Sequence, residues 1–89
     1  MSITGKPKRT RDQVHAVLWD LAAQHFDKEV AALKPEHRLI QDLGADSLEV
    51  VELSMELEEK LGITLPEELM DDPNLSLGQI EEAICRKYL

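Results

Sequence analysis

Apolar residues recur at every third or fourth position in three segments of this chain, the spacing that forms one face of an α-helix. No segment alternates apolar with polar residues as a half-buried β-strand does. Such a chain buries its apolar residues by packing helices against one another. The pattern therefore predicts an all-α fold of three main helices and one short helix, with a long loop between the first two helices.

Each main helix is predicted to begin at a capping pair, in which Thr, Asp or Ser is followed three positions later by Gln or Glu. The pairs are Thr10 with Gln13, Asp46 with Glu49, and Ser76 with Gln79. The first helix is expected to continue to about residue 25, the second to residue 61 and the last to the end of the sequence. Gly62 supplies a left-handed residue after the second helix, and Pro66 near the first position of segment 64–69 predicts the short helix.

The connection between residues 26 and 45 loses the helical spacing, except for one predicted helical turn at 30–33 that Pro35 prevents from continuing. A connection of this length without structure is unusual in a compact domain, so its apolar residues are expected to attach it to the core. These residues are Leu39, Ile40 and Leu43.

The second helix carries two apolar stripes. One consists of Leu48, Val51 and Met55, and the other of Val50, Leu53, Leu57 and Leu61. We expect the two stripes to adjoin and to form one broad apolar face.

The chain has 89 residues, the length of one domain. Residues 1–9 are expected to form a flexible tail and residues 10–89 a single domain. No apolar stretch approaches the ~20 residues of a membrane span, and no apolar segment of a signal peptide follows the first basic residues. Because the lone Cys85 cannot form an internal disulfide, we expect a cytoplasmic protein.

Negative charge is concentrated in the second half of the chain. Between residues 39 and 85 there are thirteen acidic residues and one basic residue, Lys60, so the local charge is −12. Such a surface repels nucleic acid and anionic lipid and attracts basic protein surfaces. Four glutamates line one side of the second helix, where like charges destabilise a helix by roughly 0.2–0.5 kcal/mol per pair. They are Glu49, Glu52, Glu56 and Glu59. This stripe is either an ordinary solvated face or a docking surface.

Ser47 lies at the first exposed turn of the second helix, after a tight bend that Gly44 allows. A phosphate group at this position would face free backbone N–H groups and the positive end of the helix dipole. Serine also favours the start of a helix for purely structural reasons, so geometry alone leaves both interpretations open.

Segment 44–53 reads Gly-Ala-Asp-Ser-Leu-Glu-Val-Val-Glu-Leu, and segment 57–66 reads Leu-Glu-Glu-Lys-Leu-Gly-Ile-Thr-Leu-Pro. Together they closely resemble bacterial acyl carrier proteins, most strongly over residues 39–68. The resemblance implies a four-helix bundle that acts as a freestanding carrier, with a 4′-phosphopantetheine arm, derived from coenzyme A, on Ser47. The thiol of this group would hold acyl intermediates as thioesters for enzymes of fatty acid or related lipid and polyketide biosynthesis. The chain itself would not be an enzyme.

The resemblance also assigns roles to individual residues. Gly44, Asp46 and Leu48 would complete the attachment motif around Ser47. The acids that would dock partner enzymes are Glu49, Glu52, Glu56, Glu58 and Glu59. The residues that would line the acyl cleft are Leu39, Ile40, Leu43, Val50, Val51, Ser54, Leu57 and Leu65. Ser54 replaces a residue that is usually apolar in the family, Glu56 replaces a small neutral one, and segment 69–74 aligns poorly.

The partners implied by the resemblance are a phosphopantetheinyl transferase and enzymes of the ketoacyl synthase, reductase, dehydratase and acyltransferase types. They would meet a monomeric carrier through basic patches. The alternative is an acidic helical adaptor that binds basic proteins without a prosthetic group.

Other chemistries find little support in the sequence. A hydrolase nucleophile elbow places Gly two positions before and after the serine, whereas Gly44 lies three positions before Ser47. The histidines, at positions 15, 25 and 37, match no usual metal-ligand spacing, so no metal site is predicted. Cys85 falls near the packed face of the last helix and is expected to be a semi-buried side chain rather than a reactive thiol.

Overall fold

A computed structural model describes residues 10–89, and the predicted tail, 1–9, lies outside the described residues. The helices are α1 (Arg11–Phe26), α2 (Ser47–Leu61), α3 (Glu67–Met70) and α4 (Leu77–Tyr88), with a 3₁₀ turn at Val30–Ala32. Residues 10–89 contain no β-strand, only an isolated bridge between Arg38 and Ser76. The predicted all-α fold is confirmed. No helix within this range has the length and hydropathy to cross a membrane.

Helices α1, α2 and α4 begin at the positions that the three capping pairs predict. In all three pairs the side chain of the first residue accepts a hydrogen bond from the backbone N–H of the third helical residue, whose side chain accepts one in return. Gly62 ends α2 in the left-handed region at φ 65°. Because these interactions involve residues three or four positions apart, the sequence alone was sufficient to place them.

The short helix α3 begins later than predicted. It starts at Glu67, so residues 64 and 65 are not helical. A residue that precedes proline is restricted away from the helical region, and Leu65 precedes Pro66. The N–H of Leu65 is donated instead to the Glu58 carboxylate at 2.8 Å.

The core is aliphatic apart from Trp19, and α1 packs against both α2 and α4. The largest fully buried side chains are Val14, Leu18, Leu39, Leu53, Leu57, Leu77, Ile80 and Ile84. Trp19 is also buried, and its indole N–H donates to the Leu33 carbonyl at 3.2 Å. This bond attaches the long connection to α1.

Within the connection, Leu39 is buried and donates its N–H to the Leu75 carbonyl at 2.9 Å. Leu43 is half-buried against the core. Ile40, which was expected to attach the connection as well, is 41% exposed, so this expectation was wrong. Leu39 alone occupies the core at this point, and its neighbour in the turn lies at the surface.

The two apolar stripes of α2 differ in burial. Leu48, Val51 and Met55, which we call the α2 strip, are 63%, 47% and 61% exposed. Successive helical residues are rotated by about 100°, which places the α2 strip nearly opposite the stripe that includes Leu53 and Leu57. Only the latter stripe enters the core. The bundle therefore leaves three apolar side chains of α2 exposed.

Candidate functional site

Ser47 is the first residue of α2 and is exposed. The cap of the helix is supplied by its neighbour: Asp46 Oδ1 accepts the Glu49 N–H at 2.8 Å, and the Asp46 N–H donates to Glu49 Oε1 at 3.1 Å. Within residues 10–89, the Ser47 hydroxyl has no hydrogen-bond partner. Ser47 therefore does not cap the helix, and its hydroxyl is available to other molecules.

The bend before α2 fixes this position. Gly44 has a φ of 76°, in the left-handed region that favours glycine. The next residue, Ala45, is buried and donates its N–H to the Leu39 carbonyl at 2.8 Å. The start of α2 is thus attached to the core two residues before Ser47.

A cavity of about 280 Å³ adjoins Ser47 between the connection, α2 and the segment around α3. We call it the first cavity. Its lining is largely apolar and consists of Leu39, Ile40, Ser47, Val50, Val51, Met70, Asp71, Asp72, Pro73 and Leu75. Four of the residues predicted to line a cleft, namely Leu39, Ile40, Val50 and Val51, are among them.

A second cavity of about 360 Å³ continues along α2 and α3. It is lined by Val51, Ser54, Glu58, Leu65, Glu67, Met70 and Asp71. Ser54 and Leu65, also predicted to line a cleft, border this second cavity. Leu57 is fully buried and Leu43 is half-buried against the core, and neither lines the two cavities.

The five acids predicted to dock partners differ in their surroundings. Glu49 belongs to the helix cap, Glu58 accepts the Leu65 N–H, and Glu56 lies 2.7 Å from His25 Nε2 of α1. Glu52 and Glu59 are exposed and have no hydrogen bond or ion pair among the described residues. The contact of Glu56 could not be predicted from the sequence, because His25 lies 31 positions away in α1. The contact of Glu58 depends on the turn after α2, which brings the Leu65 N–H back to the helix.

The other residues considered for chemistry, the histidines and Cys85, form no metal site among residues 10–89. His15 lies 2.6 Å from Glu81 and stacks on Trp19 with ring centroids 3.8 Å apart. In the part of the chain that the structure describes, no cluster of His, Cys, Asp and Glu could hold a metal ion. Cys85 is buried, and this burial raises the pKa of its thiol. A raised pKa lowers the thiolate fraction, which is the reactive form.

The residues around Ser47 fit a phosphate-linked group. The N–H groups at the start of a helix lack acceptors within the helix, and the dipole there favours negative charge. An exposed hydroxyl at this end can carry a phosphodiester, and the first cavity offers apolar walls within reach of it. The arrangement thus places an exposed hydroxyl at the start of a helix beside a largely apolar cavity.

Comparison with known proteins agrees with this geometry. The sequence model of a family described as "Phosphopantetheine attachment site" matches residues 17–84. Proteins named "Acyl carrier protein" from Helicobacter pylori strains G27 and HPAG1 are each 50% identical to the chain over 46 residues. The protein of that name from strain ATCC 700392 / 26695 is 48% identical over the same length.

Each of these alignments covers 52% of this chain and 59% of the relative, so the chain spans about three fifths of the length of the curated relatives it matches. The family match covers most of the chain, including Ser47 and both cavities. The cofactor of this family is 4′-phosphopantetheine, attached covalently. The chain therefore belongs to the phosphopantetheine attachment site family.

Proposed function

We propose that the chain is an acyl carrier protein. Ser47 bears the 4′-phosphopantetheine, and the protein presents acyl thioesters to enzymes of fatty acid or related lipid and polyketide biosynthesis. One observation carries the proposal: the Ser47 hydroxyl is exposed, is not used by the helix cap, and borders an apolar cavity. The names of the Helicobacter pylori relatives support it.

When bound, the prosthetic group supplies a terminal thiol that forms thioesters. The chain holds the attachment oxygen at the end of a rigid helix and offers the first cavity to an apolar cargo. Among residues 10–89, no side chain is hydrogen-bonded to the Ser47 hydroxyl. We propose that a phosphopantetheinyl transferase supplies the base that removes the hydroxyl proton, and that the chain acts as a carrier rather than an enzyme.

The outer surface of α2 is the proposed docking site for partner enzymes. The α2 strip provides exposed apolar area beside Ser47, and Glu52 and Glu59 provide negative charge next to it. Aromatic and apolar contacts give affinity, while opposite charge accelerates encounter. We propose that a monomeric carrier meets the transferase and the synthase, reductase, dehydratase and acyltransferase enzymes through this surface. The compartment we propose is the cytoplasm, on the basis of the single cysteine.

Intact-mass analysis tests the carrier function. The purified chain is incubated with coenzyme A and a phosphopantetheinyl transferase of broad specificity, alongside an established carrier protein. We expect the chain to gain the mass of one phosphopantetheine. An unchanged mass, while the established carrier is labelled, would contradict the proposal and favour an adaptor that binds basic proteins without a prosthetic group.

Reversing a charge on α2 tests the docking surface. Glu52→Lys is expected to slow attachment of the phosphopantetheine arm to Ser47 by roughly tenfold at low salt. The melting temperature should not fall, because Glu52 makes no hydrogen bond or ion pair in the described structure. The matched control is Glu36→Lys, an equal change of charge at an exposed residue of the connection. Added salt should bring the rates together by screening. Equal slowing by both variants would mean that overall charge matters and the α2 surface does not.

A further inference from the structure

We propose that Ser54 limits the length of saturated acyl chain that this protein can enclose. The inference rests on the proposed carrier function and concerns what the cavities beside Ser47 accept. It assigns to Ser54 the role of a specificity-determining residue.

Ser54 is the only polar residue that is buried among residues 10–89, with 8% of its surface exposed. It lies seven positions after Ser47, about two turns along α2, and therefore on the same side of the helix. Its hydroxyl donates to the Val51 carbonyl at 2.7 Å. A hydroxyl has one donor and two acceptor lone pairs, so Ser54 retains acceptor capacity after this bond.

The two cavities are neighbours, since Val51, Met70 and Asp71 line both. The first cavity borders Ser47 and has largely apolar walls. Asp71 and Asp72 are its only carboxyl-bearing residues. The second cavity is less apolar, because Ser54, Glu58 and Glu67 border it in addition to the shared Asp71. A chain that enters beside Ser47 and lengthens along α2 passes from the more apolar cavity into the less apolar one.

This change of lining opposes further burial of hydrocarbon. Each methylene buried in the first cavity gains contact with apolar side chains. A methylene beside Ser54 offers no hydrogen-bond donor to the hydroxyl oxygen, so the remaining acceptor capacity of that oxygen is buried unpaired, which carries a desolvation penalty. Saturated chains should therefore be enclosed up to the length that fills the first cavity, and additional carbons should remain in contact with solvent.

The test uses the arm-bearing protein loaded with a series of saturated acyl groups from butanoyl to tetradecanoyl. Melting temperature and the rate of thioester hydrolysis at mildly alkaline pH are measured for each member. In the natural sequence, we expect protection to rise with length and then to level off. Ser54→Val should move this plateau to longer chains and slow hydrolysis of the longest thioester by about fivefold.

Ser54→Thr is the matched control, because Thr and Val have nearly the same shape and differ in the hydroxyl. It should keep the plateau of the natural sequence. Ser54→Ala removes the hydroxyl without adding bulk and should shift the plateau in the same direction as Val, which provides a second test if the Val variant folds poorly.

Two results would overturn the inference: the same shift in the Val and Thr variants, or protection in the natural sequence that rises through the longest chain. Both require a protein that has taken up the arm. If the natural sequence takes up no arm at all, the carrier function itself is overturned, and this inference falls with it.

Discussion

Ser47→Ala is expected to abolish uptake of phosphopantetheine completely while leaving the fold intact. Alanine removes the oxygen that would carry the phosphodiester. Because Asp46 supplies the helix cap and the Ser47 hydroxyl makes no hydrogen bond within residues 10–89, the free energy of unfolding should change by no more than about 0.5 kcal/mol. Intact mass after the transferase reaction measures the first effect, and thermal unfolding followed by circular dichroism measures the second.

Ser76→Ala is the matched control, since Ser76 also lies at the start of a helix. Its hydroxyl oxygen accepts the Gln79 N–H at 3.2 Å, so this serine does cap α4. We expect this variant to lose about 1 kcal/mol of stability and to be labelled as fully as the natural sequence. The two serines would thus show opposite effects on chemistry and stability. Labelling of the Ser47→Ala protein would place the attachment point elsewhere.

Leu53→Ala is expected to lower the free energy of unfolding by about 3 kcal/mol, the typical effect of emptying a leucine site in a packed core. Leu53 is 0% exposed and lies in the middle of α2. Helix α1 packs against α2. Against a net stability of roughly 5 kcal/mol for a small domain, the loss exceeds half of the total. Urea unfolding should show a lower midpoint with an unchanged slope.

Met55→Ala provides the comparison on the same helix. Met55 is 61% exposed, so its truncation should change the free energy of unfolding by less than about 0.5 kcal/mol. Both residues belong to apolar stripes in the sequence, and only their positions around the helix distinguish them. A loss at Met55 as large as that at Leu53 would show that the α2 strip is buried.

Local chemistry made the helix starts predictable. The capping boxes at Thr10, Asp46 and Ser76 and the left-handed Gly62 depend on residues a few positions apart. The role of Ser47 was left open by geometry alone and was suggested by the resemblance to acyl carrier proteins. The capping bonds of Asp46 add the physical reason that its hydroxyl is available.

Long-range packing was harder to predict. The apolar α2 strip could not be distinguished from core residues by hydrophobicity, because exposure depends on where α1 and the connection lie. The contact of Glu56 with His25 likewise joins residues 31 positions apart in sequence. The different linings of the first and second cavities follow from how α3 lies beside α2, and segment 69–74 aligned poorly in the resemblance.

Because Asp46 caps α2, the start of this helix does not depend on the side chain of the next residue, Ser47. Position 47 can then be replaced by other reactive side chains without removing a bond on which the helix depends. The single cysteine of the chain is buried, with its thiol pKa raised by that burial. A thiol introduced at position 47 would therefore be far more accessible to alkylating reagents than Cys85. The fold is thus suited to receiving a synthetic arm at one defined point, with no transferase needed to install it.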